Sequence, residues 1–73
     1  MKNYRIYAKF PDMSKFKALD ISKGAPVDNL IYATLINSEE LGKAKEYLNL
    51  VKADQPKVYL QIREINNTII FSI

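Results

Sequence analysis

The stretch that decides the fold is residues 37–51, NSEELGKAKEYLNLV. Its apolar side chains recur at intervals of three and four residues, which is the period of an α-helix with one buried face. The buried positions would be Leu41, Ala44, Leu48 and Val51. Asn37 or Ser38 is the expected N-terminal cap, because a side-chain oxygen there can accept from the free N–H groups of the first turn. The helix must end before Pro56, so we predict one amphipathic helix packed against a sheet.

Three strands are predicted before this helix. Residues 3–10 alternate strictly between apolar and polar side chains, the period of a half-buried strand. Residues 16–21 favour a second strand, with one helical turn as the alternative. Residues 22–29 contain glycine and proline and predict a loop. Residues 30–36 are nearly all apolar and rich in strand-forming side chains, so we predict a central strand that is covered on both faces.

A β-hairpin is predicted after the helix. Residues 57–63 and 68–73 form two strand-like runs on either side of two asparagines at 66–67. Because asparagine tolerates positive φ, this pair suits a two-residue turn. Such a turn places Ile62 opposite Phe71, so that apolar side chains face each other along one side of the hairpin.

The order of these elements predicts an α+β fold. We expect a single mixed, mainly antiparallel sheet of about five strands (β-β-β-α-β-β), with one helix packed on one face. The two strands joined by the helix should run parallel, with a right-handed crossover. A chain of 73 residues is expected to form one domain, residues 1–73. One helix covers only one face of a sheet, which makes the opposite, outer face the place to look for function.

The composition argues against most enzyme chemistry. The sequence contains neither histidine nor cysteine, which removes the usual general base, the thiol nucleophile and the common ligands of transition metals. The carboxylates show neither calcium-loop spacing nor an obvious acid and base pair. We therefore predict a non-enzyme with no catalytic residues, no cofactor and no metal. A small enzyme without histidine or cysteine is the remote alternative.

The same composition bears on location. Without cysteine there is no disulfide to indicate an oxidising compartment, so we expect a cytoplasmic protein. The longest apolar run, residues 30–36, is far shorter than the ~20 residues that span a bilayer. We therefore expect no membrane partner.

Basic and aromatic side chains recur on the outer face of two predicted strands. They are Arg5, Tyr7 and Lys9 on the first strand and Lys57, Tyr59 and Arg63 on the strand after the helix. If these strands are neighbours, two tyrosines lie among four cations. Sheets that bind single-stranded nucleic acid stack bases on aromatic rings and meet phosphates with Lys or Arg. An ordinary solvated sheet face is the alternative interpretation.

Apolar residues on the same outer face indicate a protein partner. The hairpin register leaves Ile65 and Ile70 there, together with Tyr59, and residues 68–73 carry no charge. An uncharged apolar edge strand invites pairing with another chain. Our leading hypothesis is an interaction module that binds a protein, or a second copy of itself as a homodimer, through this face or edge. Single-stranded nucleic-acid binding is the second hypothesis.

The middle of the chain resembles small uncharacterised proteins of bacterial mobile elements and gut bacterial genomes. The resemblance is carried by residues 16–20 (FKALD), Gly24, Val27, residues 29–35 (NLIYATL) and residues 39–40. It names no fold family and no functional residues. It implies an accessory protein of a phage, plasmid or conjugative element that binds a protein or a nucleic acid.

Overall fold

The computed structural model describes residues 2–73 and has the predicted α+β class. Six strands, two 3-10 turns and one α-helix follow one another along the described chain. They are β1 (Lys2–Lys9), β2 (Lys17–Asp20), β3 (Ala25–Pro26), a 3-10 turn (Leu30–Tyr32), β4 (Ile36–Asn37), a second 3-10 turn (Ser38–Glu40), α1 (Leu41–Asp54), β5 (Tyr59–Glu64) and β6 (Ile69–Ser72).

The strands form one sheet around β1. The order is β3-β2-β1-β5-β6, and β4 pairs with β1 beside β2. All pairings described for residues 2–73 are antiparallel. Because β4 and β5 are each antiparallel to β1, they run in the same direction, as predicted for strands joined by a helix. However, β1 lies between them, so the parallel pair expected of a mixed sheet does not form.

A capping box at Asn37, one of the two predicted cap residues, caps the 3-10 turn Ser38–Glu40, which leads directly into α1. The Asn37 side chain accepts from the backbone N–H of Glu40 at 3.0 Å, and the Glu40 carboxylate accepts from the backbone N–H of Asn37 at 2.9 Å. These two bonds satisfy donors that the first turn would otherwise leave unpaired. The helix ends at Asp54, before Pro56, and buries Ala44 and Leu48.

The main core lies between the helix and one sheet face. Ile6 and Ile62 are cross-strand partners on β1 and β5 and are completely buried there, as is Leu48 of the helix. Each such side chain contributes about 1.5–3 kcal/mol to folding through the apolar surface that it removes from water. The alternation predicted for residues 3–10 and the apolar stripe of the helix therefore both mark core positions.

The prediction of a central strand at residues 30–36 is wrong. Leu30–Tyr32 form an exposed 3-10 turn, and strand structure begins only at Ile36. The physical reason is local hydrogen bonding. Asn29 accepts from the backbone N–H of Ile31 through its side chain, at 3.1 Å, and from that of Tyr32 through its carbonyl, at 3.0 Å. These bonds satisfy the backbone without a sheet partner, and β1 occupies the centre of the sheet instead.

The strand prediction for residues 16–21 is confirmed, whereas the loop prediction for residues 22–29 is only partly right. Residues 17–20 form β2, so the strand prediction is confirmed and the helical alternative is wrong. The predicted loop at 22–29 contains the short β3. Gly24 has φ 62°, a left-handed conformation that glycine adopts without a Cβ penalty. This conformation closes the turn between β2 and β3.

The hairpin is confirmed over most of its length, but its turn is not. Ile62 lies opposite Phe71 as predicted, whereas Arg63 lies opposite Ile69. Ile70 is therefore an extra residue, a β-bulge, between the two paired positions of β6. The bulge widens the connection beyond two residues, and only Asn67 has a positive φ, of 73°.

Candidate functional site

The outer face brings together most of the predicted nucleic-acid residues. β1 and β5 are neighbours, with Lys9 opposite Tyr59 and Arg5 opposite Arg63. Tyr7 lies between these pairs on β1. Lys57 precedes β5 in an exposed turn and has no place in the ladder. The nucleic-acid hypothesis requires these two strands to be neighbours, and β1 and β5 are.

Tyr7 is not available for stacking. Only 6% of it is exposed, because it packs in a second small core on the outer face. The guanidinium carbon of Arg63 lies 4.1 Å from the centroid of the Tyr7 ring and 5.5 Å from that of Phe16. A base cannot reach a ring that is covered in this way. The predicted platform of two tyrosines therefore does not exist on this surface.

Tyr7 is covered in part by Ala33, which belongs to the segment 30–36 that the sequence predicts as a central strand. Ala33 is buried against Tyr7 and Ala18, and Phe16 and Val27 pack against the same group. The backbone of Thr34 is fixed to β2 by a 3.0 Å hydrogen bond to the carbonyl of Leu19. Part of the face opposite the helix is thus a packed surface, and no periodic signal in the sequence marks it.

Tyr59 is the exposed aromatic residue of the face, with 56% of it accessible to solvent. Two ammonium groups lie close to its ring, that of Lys9 at 5.7 Å and that of Lys52 at 5.1 Å from the centroid. Lys52 was not predicted as a site residue. The signal that could have indicated it is its place one helical turn after Leu48, on the flank of the buried helix face.

The predicted protein interface becomes an apolar patch at the end of the hairpin. Ile65, Ile69 and Ile70, the hairpin patch, are each between 39% and 51% exposed. Ile69 was not predicted for this patch, and the bulge at Ile70 is what places it opposite Arg63. Tyr59 lies at the other end of β5 and is separate from the patch along the strand.

The 3-10 turn at Leu30–Tyr32 is a second exposed apolar feature, in which Ile31 is 76% accessible. A groove of about 290 Å³ lies nearby, between the helix and the chain that precedes it. Its walls are mainly apolar and include Ile21, Leu35 and Tyr47. Its volume is close to the lower limit of small-molecule sites.

The carboxylates of the described part of the chain form no cluster that could bind a metal ion, and two of them have pKa values shifted by hydrogen bonds. No group of three or more His, Cys, Asp or Glu side chains within residues 2–73 could hold a metal ion. The hydrogen bond from the Ser22 hydroxyl lowers the pKa of Asp20, and the bond from the Lys17 ammonium lowers that of Asp28. Asp20 is the last residue of β2, and Asp28 lies in the exposed loop that follows β3. Among the described helices, none has the length and apolar character needed to cross a membrane.

Comparison of the chain with family models, with curated proteins and with solved structures finds no match. The class that the structure defines is an α+β protein with one antiparallel sheet and one helix. The function is therefore argued from the side chains themselves.

Proposed function

We propose that this protein is a non-enzymatic interaction module that pairs with a second copy of itself through the β6 edge. The observation that carries the proposal is the hairpin patch: its three isoleucines, two of them in β6, are exposed, and among residues 2–73 β6 pairs only with β5. Exposed apolar side chains next to an open strand edge are typical of surfaces that bind another chain.

The backbone of β6 supports an added strand. Ile73 and Leu60 exchange both backbone hydrogen bonds, at 2.9 and 3.0 Å. In an antiparallel ladder the residue next to such a pair turns its N–H and C=O groups away from the partner strand. Ser72 therefore directs these groups toward the open edge, where a further strand can bind them.

The lack of charged side chains near the β6 edge favours a second copy of the chain as the partner that binds there. Residues 65–73 contain no charged side chain, although the whole chain has a net charge of +3. Two β6 edges related by a twofold axis would form an isologous interface, in which each patch meets its own copy. Such a contact brings no like charges together. Because β6 has only four residues and one bulge, we expect the dimer to be weak and concentration-dependent.

Sedimentation velocity from micromolar to millimolar protein tests this proposal. We expect a monomer that converts to a dimer as its concentration rises. Ile69→Lys should shift the chain to monomer, because it places a charge beside the edge. Leu50→Lys is the matched control, since Leu50 is an exposed apolar residue of the helix, away from β6. A wild-type monomer at every concentration, or equal dimerisation of the Ile69→Lys variant, would refute the proposal.

Single-stranded nucleic-acid binding is a second candidate, because two ammonium groups lie within 6 Å of the centroid of the exposed Tyr59 ring, Lys9 at 5.7 Å and Lys52 at 5.1 Å. Binding of this kind should weaken steeply with salt and be lost in Tyr59→Ala. Tyr32→Ala is the control, since Tyr32 is also exposed, 65% against 56% for Tyr59, but lies in the 3-10 turn. If a mixed-sequence oligonucleotide does not bind at low salt, this candidate is wrong.

The context of the proposal comes from the sequence. The resemblance to small proteins of bacterial mobile elements supports an accessory interaction role, and the absence of cysteine supports action in the cytoplasm.

A further inference from the structure

Two arginines lie directly opposite each other on the outer face. Arg5 of β1 and Arg63 of β5 are cross-strand partners, so their side chains leave the sheet on the same side. Like charges in this position destabilise a strand pair. Neither guanidinium forms an ion pair with a carboxylate in the part of the chain that the structure describes. Glu64 follows Arg63 in the chain but belongs to the opposite face, because successive strand residues alternate.

The two guanidinium groups differ in how they are held. Arg63 donates from Nε to the Gln61 side-chain oxygen at 2.9 Å and stacks on the Tyr7 ring. The Nε atom of Arg5 is buried and has no hydrogen-bond partner. A buried donor without an acceptor is unfavourable, because it loses its bonds to water and gains none. Reorienting Arg5 toward a ligand would break no existing hydrogen bond of that nitrogen.

The backbone ladder along this edge of β1 is interrupted at Arg5. On this edge of β1, β4 pairs at Lys2 and Tyr4, and β2 pairs at Tyr7 and Ala8. Arg5 falls between the two short strands, so no strand continues the ladder next to it on that side.

We propose that Arg5 and Arg63 form a binding site for a phosphate group. Two guanidinium groups supply two positive charges, which match a phosphate dianion, and their N–H forks match its several acceptor oxygens. The bound group would also remove the repulsion between the arginines and give the Arg5 nitrogen an acceptor. Arg63 is already oriented by Gln61 and Tyr7, which reduces the entropy lost on binding.

Arg63 is opposite Ile69 of the hairpin patch, so the phosphate site is tested separately from the proposed dimer through Arg5. Arg5 lies on β1, and β5 separates it from the β6 edge. Phosphate binding and self-association therefore have separate tests, and either can fail without the other.

Titration of the protein with inorganic phosphate tests the site, followed by the arginine Nε–Hε signals in NMR spectra and by the Tm. Sodium chloride and sodium acetate at matched ionic strength serve as reference anions. We expect saturable phosphate binding, with shifts at Arg5 and Arg63 and a rise in Tm that the reference anions do not produce. Arg5→Gln should weaken binding about tenfold or more, the effect of losing one charged hydrogen bond. This variant should remain folded, because it removes a like charge from the strand pair.

Lys43→Gln is the matched control, since it removes an equal charge from an exposed position on the helix. It should bind phosphate as the wild type does. Titrations with a single-stranded oligonucleotide and with a phosphate monoester distinguish the two sources of the bound phosphate. The compound that binds more tightly is the better model of the natural ligand. Equal effects of phosphate, acetate and chloride, or unchanged phosphate binding in Arg5→Gln, would overturn the proposal.

Discussion

The guanidinium carbon of Arg63 lies 4.1 Å from the centroid of the Tyr7 ring. The two residues belong to neighbouring strands, but Arg63 is directly opposite Arg5, and Tyr7 is opposite Gln61. The contact is therefore diagonal, and it closes the outer face over Tyr7. It helps to explain why Tyr7, which the sequence places on the outer face where a base could stack, is instead part of a small core.

This contact should be measurable as a coupling energy. We expect a double-mutant cycle with Arg63→Met and Tyr7→Leu to give about 0.5–2 kcal/mol in the free energy of unfolding, as for partly desolvated cation–π pairs. Urea denaturation of the four proteins supplies the values. The Lys45 and Phe71 pair, at 5.3 Å with an exposed lysine, should couple more weakly. A coupling near zero for Arg63 and Tyr7 would mean that the two side chains are independent.

The helix contains a matched pair of leucines for testing the core. Leu48 is completely buried, whereas Leu50 is 72% exposed. Leu48→Ala should lower the free energy of unfolding by about 2–5 kcal/mol, because it removes buried surface and leaves a cavity. Leu50→Ala should change it by less than about 0.5 kcal/mol. Both values come from urea denaturation, and similar losses in the two variants would show that the helix is packed on a different face.

The capping box predicts a specific cost at the start of the helix. Asn37→Ala should destabilise the protein by about 0.5–2 kcal/mol, because the backbone N–H of Glu40 loses its acceptor. Asn49→Ala makes the same change at an exposed position inside the helix, where alanine should stabilise by a few tenths of a kcal/mol. Thermal unfolding followed by circular dichroism distinguishes the two. A neutral Asn37→Ala variant would contradict the capping role.

The turn between β5 and β6 depends on the left-handed conformation of Asn67. Asn67→Ala should cost about 1–2 kcal/mol, because a Cβ without a compensating polar group disfavours φ of 73°. Asn67→Gly should be close to neutral, since glycine adopts this conformation without strain. Chemical denaturation of both variants separates backbone strain from loss of the side chain. Equal destabilisation by alanine and glycine would instead indicate the 3.4 Å hydrogen bond from Tyr7 as the cause.

The ion pair between Lys17 and Asp28 predicts a small acid dependence of stability. The bond from Lys17, 2.6 Å long, lowers the pKa of Asp28 in the folded chain. The unfolded chain therefore takes up the proton first as the pH falls, below about 4. The stabilisation is present above that value and is lost as the pH falls through the lower pKa of the folded state. NMR titration should locate that pKa, and Lys17→Gln should return it toward the ordinary value.

Local signals were sufficient for the helix and for most strands. The cap at Asn37, the apolar stripe ending near Val51 and the block at Pro56 all act within a few residues, so they can be recognised without a partner. The alternation in residues 3–10 likewise depends only on which side of a strand is buried. The same reasoning failed at residues 30–36, where an apolar composition suits both a buried strand and an exposed turn, and Asn29 decided between them.

The sequence by itself determined which residues have strand and helix periodicity, and that basic and aromatic side chains share one face of two strands. Only the tertiary structure decided that β1 and β5 are neighbours, that Arg5 meets Arg63, and that Tyr7 is covered. The physical reason is distance along the chain. Helix caps and strand alternation depend on neighbouring residues, whereas the pairing of β1 with β5 and the packing of Ala33 over Tyr7 join segments whose contact no local pattern specifies.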